Sequence, residues 1–190
     1  MGQTRVRFTC NKYLLVSEDM RCEILDGSRY VVATPGTRHQ RISRNLLVAL
    51  CRHVKKNALG EILSAPYDVI FPEGNVLQPD ILFVRKERTG VIGEMNLRAA
   101  PDLVVEILSA DSRRRDMEVK KKIYARYLVP EYWVVDSEAA TVELLLWSEL
   151  GYITAGAYGE EDRFSSPLLP GLGLALHEVF AVRRKDVDRH

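Results

Sequence analysis

The sequence predicts a mixed α/β fold in which a central β-sheet is flanked by helices. Two apolar runs, residues 101–109 and 131–135, enclose a basic stretch with helical spacing, which is typical of strand, helix, strand. A long amphipathic pattern over residues 38–56 predicts a further helix. Asp26-Gly27 lies between two short alternating runs and predicts a β-hairpin near the N-terminus.

The N-terminal part predicts a short helix around residues 12–20, followed by the hairpin over 21–34. Pro35-Gly36 ends that hairpin. The amphipathic helix over 38–56 has its apolar residues at helical spacings, namely Ile42, Leu46, Ala49, Leu50 and Val54.

The rest of the chain alternates strand patterns with polar connections. Its predicted elements, in order, are strands at 61–69 and 76–84 joined by a turn at 71–75, a surface loop at 85–100, a strand at 101–109, a basic helix at about 112–127, a strand at 131–135, a C-terminal antiparallel pair at 141–147 and 152–158, and a turn-rich return at 166–171.

Bulk properties indicate one ordinary globular domain over residues 1–190, with a core at about 20–180 and a charged tail at 183–190. The hydrophobic share is 46%, the charged share is 28% and the net charge is +1. No apolar run approaches the length of a membrane span, and we expect no membrane association. The three scattered cysteines match neither a disulfide framework nor a zinc site, which favours reduced thiols and a cytoplasmic location.

Glu106 is the first candidate for chemistry because it interrupts an apolar strand. Strand side chains alternate, so Val104, Glu106 and Leu108 share one face. A carboxylate among aliphatic side chains is costly unless it is protonated, paired or bound to a cation. Asp80 opens another apolar run and is the predicted partner of Glu106. Asp102 lies roughly 13 Å from Glu106 by strand rise, which is too far to share one cation.

Lys120 is the predicted basic member of this site. In the commonest design of two acids and a lysine, the lysine follows the second acid by two residues, but Leu108 stands there. The basic helix is the nearby source of a lysine, and Asp116, Lys120 and Tyr124 lie on one helical stripe. The alternative for Lys120 is a surface ion pair with Asp116. Spacing also leaves open whether a neighbouring lysine, Lys121 or Lys122, enters the site.

Other polar residues are weaker candidates. His39, near the start of the amphipathic helix, suits a phosphate contact or a surface role, and Glu23 suits an additional ligand or a supporting acid. The basic turn at Arg113, Arg114 and Arg115 is predicted to hold backbone phosphates, which predicts nucleic-acid binding that weakens with salt. Its alternative is a solvated helix face.

Several short segments together resemble the Uma family of putative restriction endonucleases, a branch of the PD-(D/E)xK nuclease superfamily. The resemblance extends over roughly residues 20–180. The matching segments are Glu23 to Gly27, Arg38-His39-Gln40, Gln78-Pro79-Asp80, Pro101 to Ser109, Arg115-Asp116 with Lys120 and Tyr124, Glu131 to Asp136, and Ser166 to Gly171.

This resemblance implies a restriction-endonuclease-like core with a mixed sheet and hairpins at both ends. It implies a Mg²⁺- or Mn²⁺-dependent endonuclease acting on DNA, with Asp80 and Glu106 as metal ligands and Lys120 as the third catalytic group. Additional site residues would come from Glu23, His39, Gln40 and Tyr124. The rival readings are a catalytically silent nucleic-acid-binding protein and an oligomeric interaction protein. Whether the chain forms a homodimer, and whether DNA or RNA is the substrate, stays open.

Overall fold

The computed structural model describes residues 21–110 and 112–181. The predicted helix near residues 12–20 and the predicted charged tail at 183–190 lie outside the described residues.

A mixed β-sheet of six strands forms the centre of the fold. Its strands are β3 (Gly60–Ser64), β6 (Ile81–Arg85), β8 (Leu103–Leu108), β9 (Glu131–Asp136), β10 (Thr141–Ser148) and β11 (Gly151–Tyr158). Their order across the sheet is β11-β10-β9-β8-β6-β3. Strands β8 and β9 pair in parallel, whereas the other neighbours are antiparallel.

A smaller sheet of five short strands lies beside it. Its strands are β1 (Cys22–Leu25), β2 (Ser28–Val31), β4 (Asp68–Ile70), β5 (Val76–Leu77) and β7 (Asn96–Leu97), in the order β2-β1-β5-β4-β7. The predicted hairpin at Asp26-Gly27 is confirmed, and both turn residues have positive φ, 47° and 77°. Two further strands, β12 (Arg163–Phe164) and β13 (Leu174–Ala175), pair with each other.

The predicted strands at 61–69 and 76–84 are each broken in two, which corrects the sequence interpretation. The first becomes β3 and β4 with Pro66 between them, and the second becomes β5 and β6 with Pro79 between them. A proline has no N–H for the ladder, so each strand is interrupted there and its halves join different sheets. The predicted loop at 85–100 likewise contains a 3₁₀ helix at Lys86–Val91 and strand β7.

In the part of the chain that the structure describes, three regions contain α-helix and cover the sheets. Helix α1 (Thr37–Lys56) confirms the predicted amphipathic helix. The predicted basic helix contains a π-helical segment at Arg115–Lys120 that continues into α2 (Lys121–Arg126). Helix α3 (Leu176–Phe180) follows β13, in a region where the sequence predicted no helix.

The two faces of β8 contact different parts of the core. Leu103, Val105 and Ile107 pack in the cluster that contains the buried face of α1. Val104 and Leu108 pack in the other cluster, with side chains from α2 and the smaller sheet. The predicted alternation is therefore confirmed. It puts Glu106 on the face toward α2.

The apolar residues of strand β10 serve the core. Val142 and Leu144 are buried in the cluster shared with α1, and Leu146 packs against that cluster. The Trp147 indole N–H donates a hydrogen bond to the Ala125 backbone carbonyl at 3.0 Å. Among the described residues, no helix has the length and hydropathy required to cross a membrane. The single-domain assignment stays a prediction.

A buried carboxylate connects the turn at 166–171 to the central sheet. Glu131, at the start of β9, accepts hydrogen bonds from Trp133 Nε1 at 2.6 Å and from the Ser166 hydroxyl at 2.5 Å. Ser166 Oγ in turn accepts the backbone N–H groups of Leu168 and Leu169, each at 3.1 Å. One buried hydroxyl therefore satisfies three polar partners.

We expect Ser166→Ala to lower the free energy of unfolding by about 1–3 kcal/mol, because it leaves the buried Leu169 N–H without a hydrogen-bond partner and removes one of the donors to Glu131. Urea denaturation followed by circular dichroism measures this change. The control is Ser165→Ala at the exposed neighbouring position, which should change stability by less than about 0.5 kcal/mol. Equal effects of the two substitutions would contradict the structural role of the Ser166 hydroxyl.

Candidate active site

A cavity of about 440 Å³ lies where the chain crosses between the two sheets. Its walls come from the first hairpin, the start of α1, the crossover at Asp80, the end of β8 and the π-helical segment. Its ionisable side chains include Glu23, His39, Asp80, Glu106, Asp116 and Lys120.

Asp80 lies at the crossover between β5 and β6, directly after Pro79. Its Oδ2 atom accepts the backbone N–H of Ile107 at 2.7 Å and lies 3.1 Å from His39 Nε2. The contact with Ile107 attaches Asp80 to the strand that carries Glu106. Two acids far apart in sequence therefore line one cavity.

Glu106 lies within β8 and is 3% exposed. Its Oε1 atom accepts a hydrogen bond from the Tyr124 hydroxyl at 2.7 Å and contacts Lys120 Nζ at 3.0 Å. Burial raises the pKa of Glu106 well above its ordinary value, and the neighbouring acids raise it further, although Lys120 opposes them. The buried phenol of Tyr124 also has a raised pKa, caused first by burial, which keeps it a hydrogen-bond donor.

Lys120 is buried among three carboxylates. Its Nζ atom lies 2.8 Å from Glu23 Oε1, 3.0 Å from Glu106 Oε1 and 3.2 Å from Asp116 Oδ1. Burial alone would lower the pKa of Lys120, but the three acids outweigh it and raise that pKa well above its ordinary value. Lys120 is therefore a buried cation held by its acidic neighbours.

The alternative of a surface ion pair between Lys120 and Asp116 is wrong, because this ion pair is buried. The pair exists, but the exposed fractions are 3% for Lys120 and 1% for Asp116. In the same segment Lys121 is half-buried and Lys122 is exposed, and neither belongs to the cavity wall. The Lys121 N–H bonds to the Asp116 carbonyl in the π-helical pattern. A π-helical turn contains more residues than an α-helical turn. Side chains four residues apart, such as those of Asp116 and Lys120, therefore point in more similar directions from the helix axis.

Two further acids complete the surroundings of Lys120. Glu23 on β1 is 1% exposed, and its Oε1 atom also accepts the Gln78 backbone N–H at 2.9 Å. The sequence indicated Asp116 only as an ion-pair partner of Lys120, yet Asp116 also lines the cavity. Burial is the first cause of the raised pKa of Asp116, while Lys120 lowers it. In the sequence, the helical stripe that Asp116 shares with Lys120 and Tyr124 is the pattern that indicates that Asp116 faces the same site.

The three predicted phosphate-binding arginines lie apart. Arg115 lines the cavity, and its Nε lies 3.5 Å from Glu23 Oε2. Arg113 and Arg114 are absent from the cavity wall and pair elsewhere, Arg113 with Asp136 at 2.6 Å and Arg114 with Glu118 at 3.2 Å. Of these three arginines, Arg115 is therefore the one that lies at the site.

The two weaker candidates on α1 both line the cavity. Gln40 is exposed there, and His39 contacts Asp80. Burial of the His39 ring disfavours its protonated form, but the hydrogen bond and the charge of Asp80 outweigh burial and raise the pKa of His39. The helix start therefore contributes one residue in direct contact with a predicted metal ligand.

The family model of Uma2, described as a putative restriction endonuclease, matches residues 10–177 of the chain. This chain belongs to the Uma2 family. The resemblance inferred from the short segments is thus confirmed.

A solved structure supports the fold assignment. The crystal structure of a putative nuclease belonging to DUF820 from Anabaena variabilis ATCC 29413 matches with a TM-score of 0.78 and 19% sequence identity. The match covers 91% of this Uma2 chain and 97% of that chain. At this identity the likeness shows the fold, and the predicted fold class is confirmed. No curated protein matches the chain.

Proposed function

We propose that this Uma2 protein is a Mg²⁺- or Mn²⁺-dependent endonuclease that hydrolyses phosphodiester bonds in DNA. Family membership supports nuclease-like function. The observation that carries the proposal is the convergence of Asp80, Glu106 and Lys120 on one cavity, with Lys120 Nζ 3.0 Å from Glu106 Oε1. Two acids and a lysine are the groups that such hydrolysis requires.

The carboxylates of the cavity offer ligands for a divalent cation. Four carboxylates line it, those of Glu23, Asp80, Glu106 and Asp116, and so do four basic side chains, those of Arg21, Arg44, Arg115 and Lys120. At Glu106, burial and the three other carboxylates raise the pKa because they disfavour its ionised form, although Lys120 opposes them. A bound cation would offset both effects.

The type and number of donors also fit the metal. Carboxylate oxygens are hard ligands, and protein sites for Mg²⁺ commonly supply one or two carboxylates, with water and substrate phosphate completing the shell. Within residues 21–110 and 112–181, no three His, Cys, Asp or Glu side chains are arranged to hold a metal by themselves. Asp80 and Glu106 would therefore hold the ion together with oxygens from outside the protein.

Each protein group then has a role. The bound ion would lower the pKa of a water molecule and offset charge on the phosphate. Tyr124 and Lys120 hold Glu106 in place through its Oε1 atom. The positive charge of Lys120, beside Glu106, would stabilise negative charge that develops on the attacked phosphate. Arg115 would contact the substrate backbone, which contributes affinity without sequence readout.

The test is isothermal titration of Mg²⁺ and Mn²⁺ into the wild type and Asp80→Ala, together with plasmid cleavage. We expect the wild type to bind metal and to cleave DNA, and EDTA to stop cleavage. Asp80→Ala should lose both properties, because it removes one of two protein ligands. Asp102→Ala is not a suitable control, since Asp102 pairs with Arg88 at 2.8 Å and is buried. Glu160→Ala, at an exposed acid outside the cavity wall, is a better one.

The outcomes separate the rival functions. Metal binding without cleavage of DNA would redirect the search to RNA or another phosphodiester. Salt-sensitive binding of nucleic acid without metal binding would favour a catalytically silent binding protein. A melting temperature that depends on protein concentration would favour an oligomeric interaction protein. The homodimer and the cytoplasmic location stay predictions.

A further inference from the structure

His39 lines the cavity and contacts one of the proposed metal ligands, Asp80. It lies in the first turn of α1, and its side chain is 15% exposed. Its Nε2 atom is 3.1 Å from Asp80 Oδ2. The same oxygen accepts the Ile107 backbone N–H at 2.7 Å.

These two contacts restrain the Asp80 carboxylate through a single oxygen. With Oδ2 held by donors from α1 and β8, the rotation of the carboxylate is restricted. Both contacts use Oδ2, which leaves Oδ1 without a hydrogen-bond donor among the described residues. An acid held in this way presents its second oxygen within a narrower range of positions.

We propose that His39 is a positioning residue, which donates its Nε2–H to Asp80 Oδ2 and keeps Asp80 Oδ1 available for a divalent cation. This inference rests on the proposed function, and it assigns a role to His39 that is distinct from a phosphate contact or a surface histidine. Groups that orient metal ligands through hydrogen bonds affect affinity although they do not touch the metal.

The same helix supplies a matched control. His53 also lies on α1, and its Nε2 atom is 3.1 Å from the Pro170 backbone carbonyl oxygen. Unlike His39, His53 is absent from the cavity wall. A substitution at His53 therefore removes a similar histidine contact from the same helix without disturbing Asp80.

Mn²⁺ titration by calorimetry should be compared for the wild type, His39→Leu, His39→Gln and His53→Leu. We expect His39→Leu to weaken Mn²⁺ binding by about 10- to 100-fold. Glutamine carries an N–H donor at a reach similar to histidine Nε2, so His39→Gln should recover most of the lost affinity. His53→Leu should bind Mn²⁺ as the wild type does. Thermal melts without metal show whether each variant folds. If His39→Leu does not fold, His39→Ala replaces it in the comparison.

Three results would overturn the role of His39. Unchanged affinity in His39→Leu would show that the Ile107 N–H alone suffices to hold Asp80. Tighter binding in His39→Leu would show that the histidine competes with the cation. Equal losses in His39→Leu and His39→Gln would show that the N–H donor is not the group that matters. If the wild type binds no Mn²⁺, the metal site itself fails, and this outcome is distinct from the other three.

Discussion

Glu106→Gln is expected to reduce DNA cleavage by about 1,000-fold or more while the protein stays folded. A metal ion contributes several kcal/mol to stabilising the charge of the transition state, and each 1.36 kcal/mol changes the rate about tenfold. Glutamine keeps an oxygen that accepts the hydrogen bond of Tyr124, and Lys120 keeps its contacts with Glu23 and Asp116. Initial rates of plasmid nicking at saturating Mg²⁺ measure the effect.

Glu131→Gln is the matched control for this substitution. Glu131 is also a buried glutamate, 1% exposed, on the strand that pairs in parallel with β8. It contacts Trp133 and Ser166 and is not part of the cavity wall. Its variant should cleave at nearly the wild-type rate. Comparable losses in the two variants would show that a buried charge, and not the cavity acid, is what activity requires.

Lys120→Met is expected to lower the free energy of unfolding by about 3–5 kcal/mol at neutral pH. Removing one partner from a buried ion pair leaves uncompensated charge, and here three carboxylates within 3.2 Å lose the same cation. For a chain of this size the loss corresponds to a fall in melting temperature of about 6–20 °C. Scanning calorimetry measures it. Lys122→Met, at an exposed position in the same helix, should leave the melting temperature nearly unchanged.

The stability deficit of Lys120→Met should also depend on pH. Burial raises the pKa of Glu106 and of Asp116, and in each case Lys120 is the main group that lowers the pKa. Without Lys120 both values rise further, so the folded state binds more protons than the unfolded state, and its stability increases as the pH falls. We expect the difference from wild type to narrow between about pH 7 and about pH 4. A constant or widening difference would contradict this account.

Local patterns in the sequence were sufficient for the elements whose residues interact over short distances. Asp26-Gly27 predicted a hairpin because only a few turn types join short strands, and the spacing of Ile42, Leu46 and Leu50 predicted α1. The alternation around Glu106 predicted one acid on one face of a buried strand. These inferences needed no knowledge of which elements lie opposite each other.

The sequence by itself determined the amphipathic helix, the two-sided strand at Glu106, and the acids and the lysine that were candidates for the site. The tertiary structure decided which groups meet. It divided the strands at Pro66 and Pro79 between two sheets, and it placed the crossover residue Asp80 beside His39. It also buried Asp116 with Lys120 and separated Arg113 from Arg115. Spacing along a chain determines the direction of side chains within an element, whereas contacts between elements depend on how the sheets and helices pack.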